Sequence, residues 1–100
     1  MTGLESIIKE RTEQIEKHGY TLENDLKYKN GELKIIAEYL VKGPNDAEAD
    51  NLREWLTSNN RFPEAFIAKL DAKTRIEKLA IAGAFLAAQI DLIKKHENII

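Results

Sequence analysis

One hundred residues with 43% hydrophobic and 32% charged content fit one small domain, residues 1–100, with a single modest core. A formal net charge of −2 and a pI near 5.7 argue against duplex DNA or RNA as the main partner, because no chain-wide basic field exists to meet the phosphates. The absence of cysteine removes disulfide frameworks and thiolate metal sites and suits a reducing cytoplasm.

The opening residues Met1 to Ser6 lack the basic-then-apolar layout of a signal peptide, so a cytoplasmic location is expected. Thr2 and Glu5 have capping-box spacing, and Leu4, Ile7, Ile8, Arg11 and Ile15 then repeat at helical intervals until Gly19. These signals predict a first helix over 3–18 with that apolar stripe as its buried side. Residues 20–30 carry Tyr20, Leu22 and Leu26 in a polar setting and read as an ordered loop. Asn30 or Gly31 starts a second helix over 31–42, buried through Leu33, Ile36, Ala37, Leu40 and Val41 and ended by Gly43 and Pro44. With Asn45 as N-cap and acidic residues in its first turn, a short peripheral helix follows over 46–57, with Leu52, Trp55 and Leu56 on its apolar edge. Phe62, Phe66, Ile67 and Leu70 then pin a short helical piece onto the core.

The last helix, opened by Asp71 or Thr74 and running to Glu97, is the element on which the others are built. Leu79 to Ala88 pass without a charge, and Ile76, Leu79, Gly83, Leu86, Ile90 and Ile93 make one continuous helical face. Ala80, Ala84 and Ala88 with Gly83 and Ala87 let another backbone approach closely, from this chain or from a second copy. The uncharged run is about half of what a bilayer requires, so no membrane span is expected. The expected fold is all-α, a compact bundle of three to four helices on a long C-terminal helix.

Four polar clusters border the apolar stripes, where burial without a partner is costly. Glu10, Arg11, Gln14 and His18 share one side of the first helix and read either as an anion contact or as a solvated face with Arg11 paired to an acid. Asp25, Tyr28, Gly31 and Glu32 run from the loop into a helix start, where backbone amides suit an anion while Glu32 opposes one. Lys69, Lys73, Arg75 and Lys78 bring positive charge to the start of the last helix. Gln89 and Asp91 close the apolar run, with Arg11 as a natural partner for Asp91. Paired His ligands, a phosphate loop and a nucleophile elbow are all missing, which leaves carboxylate-held Mg²⁺ as the one surviving enzymatic class. It would draw on Glu10, Glu13, Glu32, Glu38 and Asp91.

Glu10-Arg11-x-x-Gln14, His18-Gly19, Asp25, Tyr28, Gly31-Glu32-Leu33 with Ala37 and Tyr39, and the distal Lys69, Arg75, Leu79, Ala82-Gly83-Ala84, Leu86 and Gln89-Ile90-Asp91 together resemble a family of small uncharacterised phage and prophage proteins. Gln89 stands where that family usually has Glu. More loosely, the helical pattern and the Gly-Glu-Leu motif are similar to MazG-like nucleotide pyrophosphohydrolases, which hold Mg²⁺ with Glu-x-x-Glu and Glu-x-x-Asp motifs. Glu10-x-x-Glu13 and Glu13-x-x-Glu16 have the first spacing, and the last helix lacks the second.

By analogy with phage proteins of this size that capture nucleotide immune signals, the expected function is a non-catalytic binder of a host nucleotide-derived immune signal, acting as a homo-oligomer in the host cytoplasm and without a cofactor. The expected ligand set is Glu10, Arg11, Gln14, His18, Asp25, Tyr28, Glu32, Lys69, Arg75 and Asp91: cations for phosphate, Tyr28 for base stacking, and Asp25 or Glu32 for a hydroxyl. One alternative is a Mg²⁺-dependent pyrophosphohydrolase of the MazG type. The other is a protein-binding inhibitor of a host enzyme, anchored by Trp55, Phe62 and Phe66.

Overall fold

The computed structural model describes residues 1–16, 31–42, 46–58 and 61–96, and within them the chain is all-α. In chain order the helices are α1 (Gly3–Glu16), α2 (Glu32–Val41), α3 (Ala47–Thr57), α4 (Glu64–Asp71) and α5 (Arg75–His96). The expected loop anchors Tyr20, Leu22 and Leu26 and the expected helix stops at Gly19 and Gly43-Pro44 lie outside the described residues, as does Asn45.

Four of the five helix starts have a visible local cause. Thr2 and Glu5 form a reciprocal cap, with Thr2 N donating to Glu5 Oε1 at 2.9 Å and Glu5 N to Thr2 Oγ1 at 3.2 Å. Thr74 and Glu77 repeat the arrangement at the head of α5, at 3.0 and 3.2 Å. The backbone and hydroxyl bonds to Thr2 and Thr74 hold the Glu5 and Glu77 carboxyls below the ordinary range. Asp46 caps α3, its side chain accepting from Glu48 N at 2.9 Å. Gly31 precedes α2 at φ 80°, a left-handed conformation open to glycine at little steric cost.

The core lies between α2 and α5. Leu33, Ile36, Ala37 and Leu40 meet Ile81, Ala82, Phe85, Ala88 and Leu92, and Leu56, Phe62, Ile67 and Leu70 close the far side. Burying each such aliphatic or aromatic side chain is worth about 1.5–3 kcal/mol. Leu56 is fully buried and anchors the otherwise exposed or half-buried α3 to the core. Ring stacking of Phe62 on Phe66, centroids 5.7 Å apart, ties the turn before α4 to α4 itself. Arg61 covers Trp55 at 3.9 Å and donates to the Trp55 carbonyl at 3.1 Å. Arg53 on α3 bridges to α4, with Nη1 2.6 Å from Glu64 and Nε 3.3 Å from Asp71, and Tyr39 on α2 donates to Asp71 at 2.5 Å.

Two expected core stripes are not core. On α5 the face Ile76, Leu79, Leu86, Ile90 and Ile93 stands exposed, at 76%, 42%, 43%, 54% and 44% of full exposure. Burial falls instead on Ala80, Ile81, Ala82, Ala84, Phe85, Ala88 and Leu92. A helix rich in apolar residues all round has several faces that periodicity alone ranks equally, and the position of α2 selects among them. On α1, Leu4, Ile8 and Ile15 are exposed while Ile7 and Arg11 are half-buried and Gln14 is buried. Val41 on α2 is exposed as well.

The close approach encoded by small residues is used within the chain. Ile7 of α1 sits on Gly83 of α5, where a Cβ would come within 2.7 Å of Ile7 Cδ1 and Cγ1. Ala80 and Ala84 are buried beside it.

Candidate functional site

Of the residues singled out by sequence, the fold brings Arg11, Gln14 and Asp91 together. One turn of α1 sets Gln14 beside Arg11, and Arg11 Nη1 donates to Gln14 Oε1 at 3.3 Å. The other arm of the guanidinium reaches α5, with Nη2 3.4 Å from Asp91 Oδ2. The Arg11 side chain is only 14% exposed, while Asp91 is 53% exposed and faces solvent. A largely desolvated guanidinium beside an open carboxylate makes a polar cluster on the α1–α5 junction.

Glu10 is half-buried on α1. Its carboxyl is pushed up by that burial and, secondarily, by the charge of Glu13. Glu32 is buried at 5% exposure in the first turn of α2, where the helix dipole favours a carboxylate. Gln89, on the turn of α5 before Asp91, has a buried Oε1 with no hydrogen-bond partner, an arrangement that costs about 1–3 kcal/mol.

Lys69 and Arg75 do not join this cluster. Lys69 is exposed in the last turn of α4. Arg75 turns to α2, where Nη1 donates to the Val41 carbonyl at 2.7 Å and reaches that of Lys42 at 3.5 Å. It thereby satisfies the helix's open C-terminal carbonyls. Sixteen positions separate Arg75 from Asp91 on one helix, a rise of about 24 Å. A nucleotide-sized ligand on a single chain does not span both. His18, Asp25 and Tyr28 lie outside the described residues.

Sequence reasoning missed a second polar feature. A pocket of about 270 Å³ opens between α2, α3, α4 and α5, bounded by Tyr39, Lys42, Asp50, Asp71 and Lys78. Lys42 is surrounded there by acids, 3.2 Å from Glu48, 3.8 Å from Asp46 and 4.0 Å from Glu38. The i, i+4 spacing of Glu38, Lys42 and Asp46 was a signal for part of this cluster; the Tyr39–Asp71 and Arg53–Asp71 links, 32 and 18 residues apart, had none.

Among the described residues no group of three or more His, Cys, Asp or Glu side chains could hold a metal ion. Among the same residues no helix is long and apolar enough to cross a membrane. Compared with known protein families, curated proteins and solved structures, the chain matches none.

Proposed function

We propose that this protein binds and holds a nucleotide-derived signalling molecule of a bacterial host without converting it, as a phage-type, cytoplasmic homo-oligomer. The observation that carries the reading is the Arg11–Gln14–Asp91 cluster. A phosphate would meet a mostly desolvated guanidinium that Gln14 and Asp91 already orient, and a sugar hydroxyl or base amine would meet the exposed carboxylate 3.4 Å from it. The resemblance to small phage proteins supports the same class of ligand by analogy alone.

Native mass spectrometry of protein purified from a bacterial host, followed by calorimetry with a panel of linear and cyclic nucleotides, tests the reading. A retained or titrating nucleotide is expected, bound at least tenfold more weakly by Arg11→Ala, since a charge-assisted contact is worth about 1.5–3 kcal/mol. The control is Lys34→Ala, exposed on α2, which should bind as the wild type does. Equal affinity for both variants removes the Arg11–Gln14–Asp91 cluster as the site, and release of pyrophosphate from nucleoside triphosphates with Mg²⁺ replaces the binder by a hydrolase.

A further inference from the structure

The pocket between α2, α3, α4 and α5 is lined by two charges that the fold leaves unanswered, Lys78 from α5 and Asp50 from α3. Among the described residues neither side chain has an ion-pair or hydrogen-bond partner. Lys78 is half-buried in the first turn of α5, where the helix dipole disfavours a cation. The one acid of that turn, Glu77, is engaged with Thr74 as the helix cap. A partly desolvated ammonium so placed is stabilised by an anion from outside the fold. Asp50, exposed in the first turn of α3, is free to receive a cation.

The other charges of the pocket are already taken up. Lys42 lies among three carboxylates, 4.0 Å from Glu38, 3.8 Å from Asp46 and 3.2 Å from Glu48. Asp71 is held on both oxygens, by the Tyr39 hydroxyl at 2.5 Å and by Arg53 Nε at 3.3 Å. That linkage ties α2, α3 and α4 together and fixes the pocket wall before any ligand arrives, which lowers the ordering cost of binding.

This arrangement narrows the chemistry of the occupant. Acids outnumber bases around the pocket, so a phosphate or a dicarboxylate on Lys78 would bring a second negative charge beside Asp50, Asp71 and the acids about Lys42. A single carboxylate that carries its own cation answers Lys78 and Asp50 together. Among the described residues no group of three or more His, Cys, Asp or Glu side chains could hold a metal ion, which favours an organic ammonium as that cation. The volume, about 270 Å³, lies just below the roughly 300 Å³ at which pockets for drug-sized ligands begin. Leu40 adds an apolar surface for a short side chain.

We infer that this pocket binds a free α-amino acid, with its carboxylate on Lys78 and its ammonium on Asp50. The site shares no residue with the Arg11–Gln14–Asp91 cluster and does not depend on the nucleotide reading.

Isothermal titration calorimetry with L-alanine, L-lysine, L-glutamate and inorganic phosphate tests the assignment. L-alanine and L-lysine should bind, L-glutamate should bind at least about tenfold more weakly than L-lysine because of its added negative charge, and phosphate should give no signal. Asp50→Asn and Lys78→Met should each weaken L-alanine binding by about tenfold or more, as loss of a charge-assisted contact does. Asp50 is exposed, and methionine keeps the apolar stem of Lys78, so helical circular dichroism should be unchanged in both. Lys94→Ala, exposed near the other end of α5, should bind as the wild type does. Absence of binding by both L-alanine and L-lysine at millimolar concentration overturns the inference, as does unchanged affinity in the two folded variants. Phosphate binding that is lost in Lys78→Met overturns the amino acid in favour of a simple anion.

Discussion

At the scale of single residues, Tyr39 shows how the fold changes the chemistry of a side chain. Its phenol donates to Asp71 Oδ1 at 2.5 Å while Arg53 Nε donates to the other oxygen of the same carboxylate at 3.3 Å. Burial, and then the hydrogen bond and charge of Asp71, push the phenol from its ordinary 10.0 up to about 12. The native state thus holds this proton more tightly than the unfolded chain does. The stability contributed is fully present below the unfolded value of 10.0 and is lost as pH rises through about 12. Urea midpoints measured across that window should fall more steeply for the wild type than for Tyr39→Phe, and absorbance titration of the variant should lack the last-ionising tyrosine. Parallel pH profiles for the two proteins would show that the phenol is not held by Asp71.

At the scale of elements, the contact that positions the candidate site is the seating of α1 on α5 at Gly83. A methyl group there would lie 2.7 Å from two carbons of Ile7, so Gly83→Ala must displace Ile7 or the helix that carries it. Overpacking of this kind costs about 1–3 kcal/mol, against which alanine returns about 1 kcal/mol of helix propensity. The expected outcome in urea denaturation is a net loss of about 1 kcal/mol, with Gly83→Leu losing more. Ile7→Ala makes room, so the Gly83→Ala/Ile7→Ala double variant should be more stable than the sum of the two losses predicts. Strict additivity would mean that α1 does not sit on Gly83, and with it the Arg11–Asp91 approach would lose its support.

For the whole molecule, the balance of area is the governing fact. A chain of this length has a small core, and Ile76, Leu79, Leu86, Ile90 and Ile93 of its longest helix stay outside it, at 42% to 76% exposure. The homo-oligomer proposed above, if it covers this face, would stabilise the native state by mass action, so the melting temperature should rise with protein concentration. Calorimetry at low and high micromolar concentration should show that rise for the wild type and no such rise for Ile90→Glu. A melting temperature that is independent of concentration in both proteins would place the full stability in the single chain.

The sequence by itself determined the helices and the starts of the first and last of them. Thr2 with Glu5 and Thr74 with Glu77 are local patterns whose partners lie three residues away, and Leu33, Ile36, Ala37 and Leu40 form a stripe on a helix with only one apolar side. Sequence also paired Arg11 with Asp91, because each is a charge beside an apolar stripe and each needs an opposite. What only the tertiary structure decided is which side of an ambiguous helix goes inward. On α5, Ile76 to Ile93 and Ile81 to Leu92 are rival apolar faces, and on α1 the Leu4–Ile8–Ile15 stripe competes with Ile7 and Gln14. The choice depends on the long-range placement of α2 against α5 and of Ile7 on Gly83, contacts between residues more than forty positions apart that no local periodicity encodes. For the same reason Arg75 became a cap on the carbonyls of α2 rather than a neighbour of Asp91: the rigid rise of one continuous helix holds the two charges apart, and only folding fixed which carbonyls the guanidinium would find.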